Sequence, residues 1–461
     1  MNIIDYALCQ NEKFELKRLN KVDSLIFSQL CYFDFDTPLN KASDIGKKLY
    51  IKDLAQEENL THLMSKIKMT KEKVNFIYAI AQSSRYCDIE IVNQKSIFSK
   101  DENKQFSATT FLLNKDYIYI AFRGTDTTIV GWKEDFMIAY SNAMPSYGDA
   151  VEYFNKIANI LIYPHIFVGG HSKGGNIAVF AATRAQSKIQ DRIVNVFNHD
   201  GPGFRKDFFQ TDEFKKIADR AICIVPENSV VGMIWDNGEK MEIIKSNNLG
   251  VFQHNPFSWL VQGDDFAHSE NLSGFSKEFK TSLSDWLYYT SNRKKEAFFD
   301  AFINVFEKAE AKSFGDFFKN IHKNLPILMV EIHKLDPETK EMFVWVIKKI
   351  ASIYVKNSTF VKAGSEFAVK LNSAMIKVGE KLKDIKNEKL IEKEEKQKQS
   401  NVCDDGEVVD AEMIVDDNCG DEIENFKVSN DKNDSCDLND IVIDGQVVDM
   451  KTTKKAKKRD S

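Results

Sequence analysis

The chain has 461 residues, room for two or three domains, and its 43% hydrophobic content is ordinary for a soluble globular protein. No run approaches the ~18 apolar residues of a membrane span, and seven scattered cysteines show neither metal-ligand spacing nor a disulfide framework. The net charge of −6 is uneven: the last sixty-one residues hold 17 acidic and 8 basic side chains, which leaves a slightly positive body with no electrostatic case for nucleic-acid binding.

From the N-terminus, which lacks a basic segment followed by an apolar one, a cytoplasmic location with reduced thiols is expected. Helical periodicity appears at 20–31 and 71–84, and strand-like runs follow at 88–93, 106–113 and 117–123. Asn114-Lys115-Asp116 joins the last two as a hairpin turn. The third run, YIYIAFRGTD, enters a glycine turn at Gly124-Thr125, and Gly131 to Phe136 look like the start of a helix.

Residues 165–177, HIFVGGHSKGGNI, carry the most information. Gly170-His171-Ser172-Lys173-Gly174 is a G-x-S-x-G pentapeptide between an apolar strand and a helix-forming run, the order a nucleophile elbow requires. Such a turn holds a serine hydroxyl exposed at the end of a sheet. An acyl-transfer site also needs two N–H groups for the oxyanion. One belongs to the residue after the nucleophile, here Lys173, and the other to a loop after an earlier strand, where Thr125 stands. Beyond the elbow, Ile193–Phe197, Ala221–Val225 and Met241–Ile244 read as strands separated by helical patterns, the mark of a parallel sheet.

Residues 275–395 read as all helix, with Phe298, Phe302 and Phe306 on one face, Phe299 and Ile303 beside them, and Phe314, Phe317 and Phe318 following. Two readings stay open for this stripe: a packed core, or an amphipathic surface for lipid that would make a peripheral membrane contact. Residues 396–461 form an acidic tail with a basic end, too poor in apolar side chains to fold, so disorder is expected there.

AFRGTD with GWKEDF, and GGHSKGGN, resemble the class 3 lipases, and more closely a bacterial branch of them, the Mbeg-like family. LNKVDSLIFSQLCYFDF at 19–35, NHDGPGF at 198–204, VPENSVVGM at 225–233 and QHNPFSWL at 253–260 carry the same resemblance. It spans roughly residues 15–265 and implies an α/β-hydrolase fold with a mostly parallel sheet over 1–270, an ester-hydrolysing activity, and no cofactor or metal.

A serine needs a base, and α/β-hydrolases place it after the nucleophile and the acid. That order discards His62 and His165; His171 lies inside the elbow, His199 is early, and His322 and His333 are in the helical region. His254 and His268 remain, and His254 also falls on the family's QHNP motif. For the acid, the family's aspartate position aligns with Ser229, which has no carboxylate, so Asp200 and Glu227 are the candidates, with Asp236 beyond them. Arg123 and Asp135 are expected to pair structurally near the oxyanion loop.

These readings predict a serine hydrolase acting on an acyl ester such as a lipid or lysophospholipid. The alternative is a catalytically inactive hydrolase fold that recruits a protein partner through its helical region and tail.

Overall fold

The computed structural model describes residues 1–357 except 66–68, 127–128, 142–143, 239, 312–316 and 318–319, together with 442–443 and 446–447. Met1–Ala368 form one compact unit and Val369–Ser461 a second. In the second, Val442–Ile443 and Gln446–Val447 pair as a two-residue antiparallel hairpin. The rest of the expected acidic tail, and the helical stretch beyond 357, lie outside the described residues.

The first unit opens with α1 (Ile3–Cys9), α2 (Lys21–Leu30), α3 (Asp36–Asp44), α4 (Glu57–Leu63) and α5 (Lys71–Gln82). Its sheet contains β1 (Leu49–Tyr50), β2 (Glu90–Ser99), β3 (Lys104–Leu112), β4 (Tyr117–Phe122), β5 (His165–His171), β6 (Ile193–His199), β7 (Ala221–Pro226) and β8 (Met241–Ile244), in that spatial order. β1 to β4 pair antiparallel, and β4 to β8 pair parallel. Between these strands come α6 (Ile129–Tyr140), α7 (Ser146–Ile160), α8 (Lys173–Thr183) and the one-turn helices α9 (Ser187–Gln190) and α10 (Asp212–Lys215). A mostly parallel sheet, helices on both faces and a sharp strand-to-helix turn at Ser172 define an α/β-hydrolase fold.

Local chemistry explains the elements that matter. The β3–β4 turn closes because the Asn114 side-chain oxygen accepts from the N–H groups of Asp116 and Tyr117. Helix α2 starts at a capping box in which Asn20 and Asp23 satisfy each other's backbone N–H groups. Every residue from Val22 to Leu30 is buried. Asp23 is also buried, and is compensated by the Arg85 guanidinium (2.6 and 2.9 Å) and the Tyr86 hydroxyl. Alternate strand residues Tyr119, Ala121, Phe167, Phe197 and Ile224 join α2 in one core. On the opposite face Phe122 packs against Tyr153 of α7. Burial on both faces is why the parallel strands read as continuous apolar runs.

Among the described residues four helices follow the sheet: α11 (Gly274–Tyr289), α12 (Asn292–Lys308), α13 (Ile321–His333) and α14 (Pro337–Asn357). The phenylalanine stripe is core. Phe298, Phe302, Phe306, Phe299, Ile303 and Phe317 are all buried, while Phe314 and Phe318 lie outside the described residues. Phe298 meets Phe343 of α14, and Phe299 stacks on Phe136 of α6 with centroids 4.7 Å apart. The helical region is thus fastened to the helix that follows the Thr125 loop. No described helix is long and apolar enough to cross a membrane.

Candidate active site

β5 ends at the tightest point of the chain. Ser172 adopts φ 59 and ψ −135, a sparsely populated positive-φ conformation that costs a non-glycine residue about 1–3 kcal/mol. The flanking glycines are required by contact. A Cβ on Gly170 would stand 2.3 Å from the Gly174 carbonyl group, and one on Gly174 would stand 2.1 Å from the Phe122 carbonyl oxygen. The Ser172 N–H bonds to the His199 carbonyl at 2.9 Å, which fixes the elbow to the next strand.

Three side chains meet there. Ser172 Oγ lies 2.9 Å from His254 Nε2, and His254 Nδ1 lies 2.7 Å from Asp200 Oδ2. The carboxylate accepts at Nδ1, so Nδ1 carries the proton and Nε2 is free to accept from the serine. Asp200 follows the last residue of β6 with φ 52 and is fully buried. Its other oxygen accepts from the Ser229 hydroxyl at 2.5 Å and from the Gly232 N–H at 3.3 Å. The position with no carboxylate therefore holds a donor to the carboxylate of the neighbouring strand. Glu227 is not part of this cluster: its carboxylate accepts from Ser269 at 3.2 Å. Asp236 forms an isolated β-bridge with Phe204 instead.

His254 ends a short 3-10 turn, Gly250–His254, that is fastened from several sides. His171 Nε2 donates to the His254 carbonyl at 3.0 Å, and His171 Nδ1 accepts from the Tyr32 hydroxyl at 3.2 Å. Burial, with the nearby rings of His254 and His199, holds His171 well below the ordinary imidazole range, so it stays neutral. The indole of Trp259 donates to the Gln253 carbonyl at 2.7 Å, and Gln253 accepts from the Asn228 N–H. His199, buried and pushed down to about 3 by desolvation, bonds Ser24 and takes no part. His268 sits apart with Asp265 (3.4 Å) and Glu242 (4.0 Å), a cluster whose two carboxylates are bridged by Lys21 at 2.7 and 2.6 Å.

The Gly124-Thr125 loop lies against the elbow, since a Cβ on Gly124 would come within 3.2 Å of the Ser172 Cβ. Neither the Thr125 nor the Lys173 backbone N–H has an acceptor among the described residues. The Thr125 hydroxyl donates to Asp135 at 2.5 Å. Burial raises the Asp135 carboxyl to about 6, against the lowering effects of Lys173 and Thr125. The expected Arg123–Asp135 pair is not formed. Thr125 occupies Asp135, and the buried Arg123 Nε has no partner.

Sequence reasoning missed a second role for Lys173. Its fully buried side chain donates to Glu134 of α6 at 2.7 Å and to the Gln105 carbonyl at 2.8 Å. Glu134 also accepts from the N–H groups of Gln105 and Ser146 and from the Ser146 hydroxyl. The available signal was a lone charge at the head of an otherwise apolar helix, GGNIAVFAA.

Taken together, the sheet, the elbow and the loop beside it define an α/β-hydrolase fold. A family model described as Mbeg1-like matches residues 80–304, in line with the resemblance drawn from the sequence motifs. No curated protein matches the chain. Among solved structures, the M37 lipase is similar at 18% identity and a TM-score of 0.31, covering 47% of this chain and 70% of its own. A mutant form of MDLA from Penicillium cyclopium is similar at 12% identity and a TM-score of 0.32, covering 55% and 87%. The lipase from Rhizopus microsporus var. chinensis is similar at 13% identity and a TM-score of 0.28, covering 57% and 87%.

Proposed function

We propose that the protein is a serine hydrolase that cleaves acyl esters. The observation that carries this reading is the unbroken contact from Ser172 Oγ to His254 Nε2 (2.9 Å) and from His254 Nδ1 to Asp200 (2.7 Å). Ser172 attacks the acyl carbonyl while His254 Nε2 takes its proton. Asp200 holds the ring in the required tautomer and balances the imidazolium that forms. The Thr125 and Lys173 N–H groups receive the oxyanion of the tetrahedral intermediate. His254 then protonates the departing alkoxide, and water releases the acyl group by the same route in reverse.

Lipid and lysophospholipid esters are the first substrates to try, beside thioester and amide analogues that delimit the acyl class. A fluorophosphonate probe should label the native protein and leave Ser172→Ala unlabelled. Equal labelling of both would overturn the mechanism. The inactive interaction-module reading drew on the lack of a carboxylate at Ser229. Asp200 beside His254 supplies a carboxylate from the neighbouring strand end, which favours the hydrolase reading, and most of the tail lies outside the described residues.

A further inference from the structure

A cavity of about 1020 Å³ opens between the Phe204–Asp207 segment, the loop at Trp235 and Asp236, and the junction of α11 with α12. None of Ser172, His254 and Asp200 lines it. Its distinguishing feature is a pair of cations that share one indole and, among the described residues, form no ion pair. The Arg205 guanidinium lies 5.3 Å from the Trp235 ring centroid, and the Lys295 ammonium lies 5.6 Å from it. Lys295 is only 3% exposed. Among the described residues its one polar side-chain contact is the Asn292 amide oxygen at 3.5 Å, the outer limit of a hydrogen bond. Among the described residues neither cation has a carboxylate within ion-pair distance, although Asp207, Asp236 and Asp285 line the same cavity.

A buried ammonium beside a like charge is costly unless an anion joins it. Burial and, after it, Arg205 both push Lys295 below the ordinary lysine value. Three further donors line the same cavity. Thr290, at the cavity wall, has a buried hydroxyl with no partner. Ser291 and Asn292 head the seventeen-residue helix α12, and no side chain caps it. Lys280 also lines the cavity. An open guanidinium fork, a point-charge ammonium and a free helix N-terminus are the groups that recognise a tetrahedral oxyanion.

We propose that this cavity is an anion site that binds the phosphate group of a phosphate ester. The surrounding aromatic rings, Phe204, Trp235, Tyr288 and Tyr289, leave room for an organic substituent on that group. The reading does not depend on hydrolysis, so Ser172→Ala protein should bind as the native protein does.

The test titrates the full chain calorimetrically with inorganic phosphate and with glycerol phosphate at constant ionic strength. In parallel, the protein is sedimented with phosphatidylcholine vesicles that contain or lack phosphatidic acid. Arg205→Gln/Lys295→Gln should weaken binding about tenfold or more, whereas Lys206→Gln on the exposed rim should change it by less than about threefold. Capture on phosphatidic acid vesicles that the double variant loses assigns a lipid headgroup. Binding of the soluble esters without vesicle capture assigns a free phosphate ester. Absence of both, or unchanged affinity in a double variant with native circular dichroism, overturns the proposal. If the double variant does not fold, Arg205→Gln alone decides, because that half-buried side chain has no polar partner to lose; unchanged affinity there is equally fatal.

Discussion

At the residue scale the two carboxylates left open by the sequence have separate fates. Asp200 meets the imidazole, and Glu227 meets Ser269. Asp200→Asn should lower kcat on an ester by about 10⁴ with the fold retained, because the amide no longer selects the right tautomer. Glu227→Gln should leave kcat within about threefold, since an exchange outside the reacting cluster removes no transition-state contact. The serine and the histidine were legible because an elbow has a fixed pattern and few histidines follow it. The acid was not. A string of letters does not say which of two strand ends a ring will face, and Asp200 in Asp-Gly-Pro-Gly also reads as an ordinary turn former. Asp135 offers a pH test. Its folded value of about 6 exceeds the usual 3.8, so between these values the folded state binds more protons than the unfolded one. The side chain's contribution therefore favours folding more as pH falls through that window and least above it. The melting temperature of Asp135→Asn relative to the native protein should be higher at pH 8 than at pH 4.

At the element scale the Lys173–Glu134 pair connects the helix after the Ser172 elbow to the helix after the Gly124-Thr125 loop. Both side chains are fully buried, so removing one partner leaves a desolvated charge. Lys173→Met should cost about 3–5 kcal/mol in urea unfolding, while Lys173→Met/Glu134→Leu should recover much of the loss. A double variant no more stable than the single one would mean that Glu134 is held mainly by Ser146 and Gln105. Strands β4 and β5 were readable because two-sided burial leaves continuous apolar runs, whereas β2, largely unburied and mixed in polarity, was read only over 88–93 of its 90–99 span; the hairpin was readable because Asn114 signals its own turn. The lysine bridge was hidden. Its partners are separated by thirty-nine positions, and a lysine beside two glycines carries no mark of burial until the sheet has been assembled.

At the scale of the whole molecule, the boundary near 270 that composition suggests is crossed by substantial packing. Phe299 and Phe302 of α12 cover Phe136, and Glu307 pairs with Lys133 at 3.3 Å. A fragment ending at residue 270 would bare the aromatic flank of α6. It should bind a hydrophobic dye and elute as aggregates where the intact chain elutes as a discrete species; a monodisperse, dye-negative fragment would contradict this packing. The phenylalanine stripe was visible in the sequence, but whether it faced lipid or protein depended on a partner helix more than 150 residues upstream. Anyone trimming this protein for assay or crystallisation would therefore do well to keep the bundle through α14, since a shortened version would leave the helix after the Gly124-Thr125 loop without the scaffolding behind it.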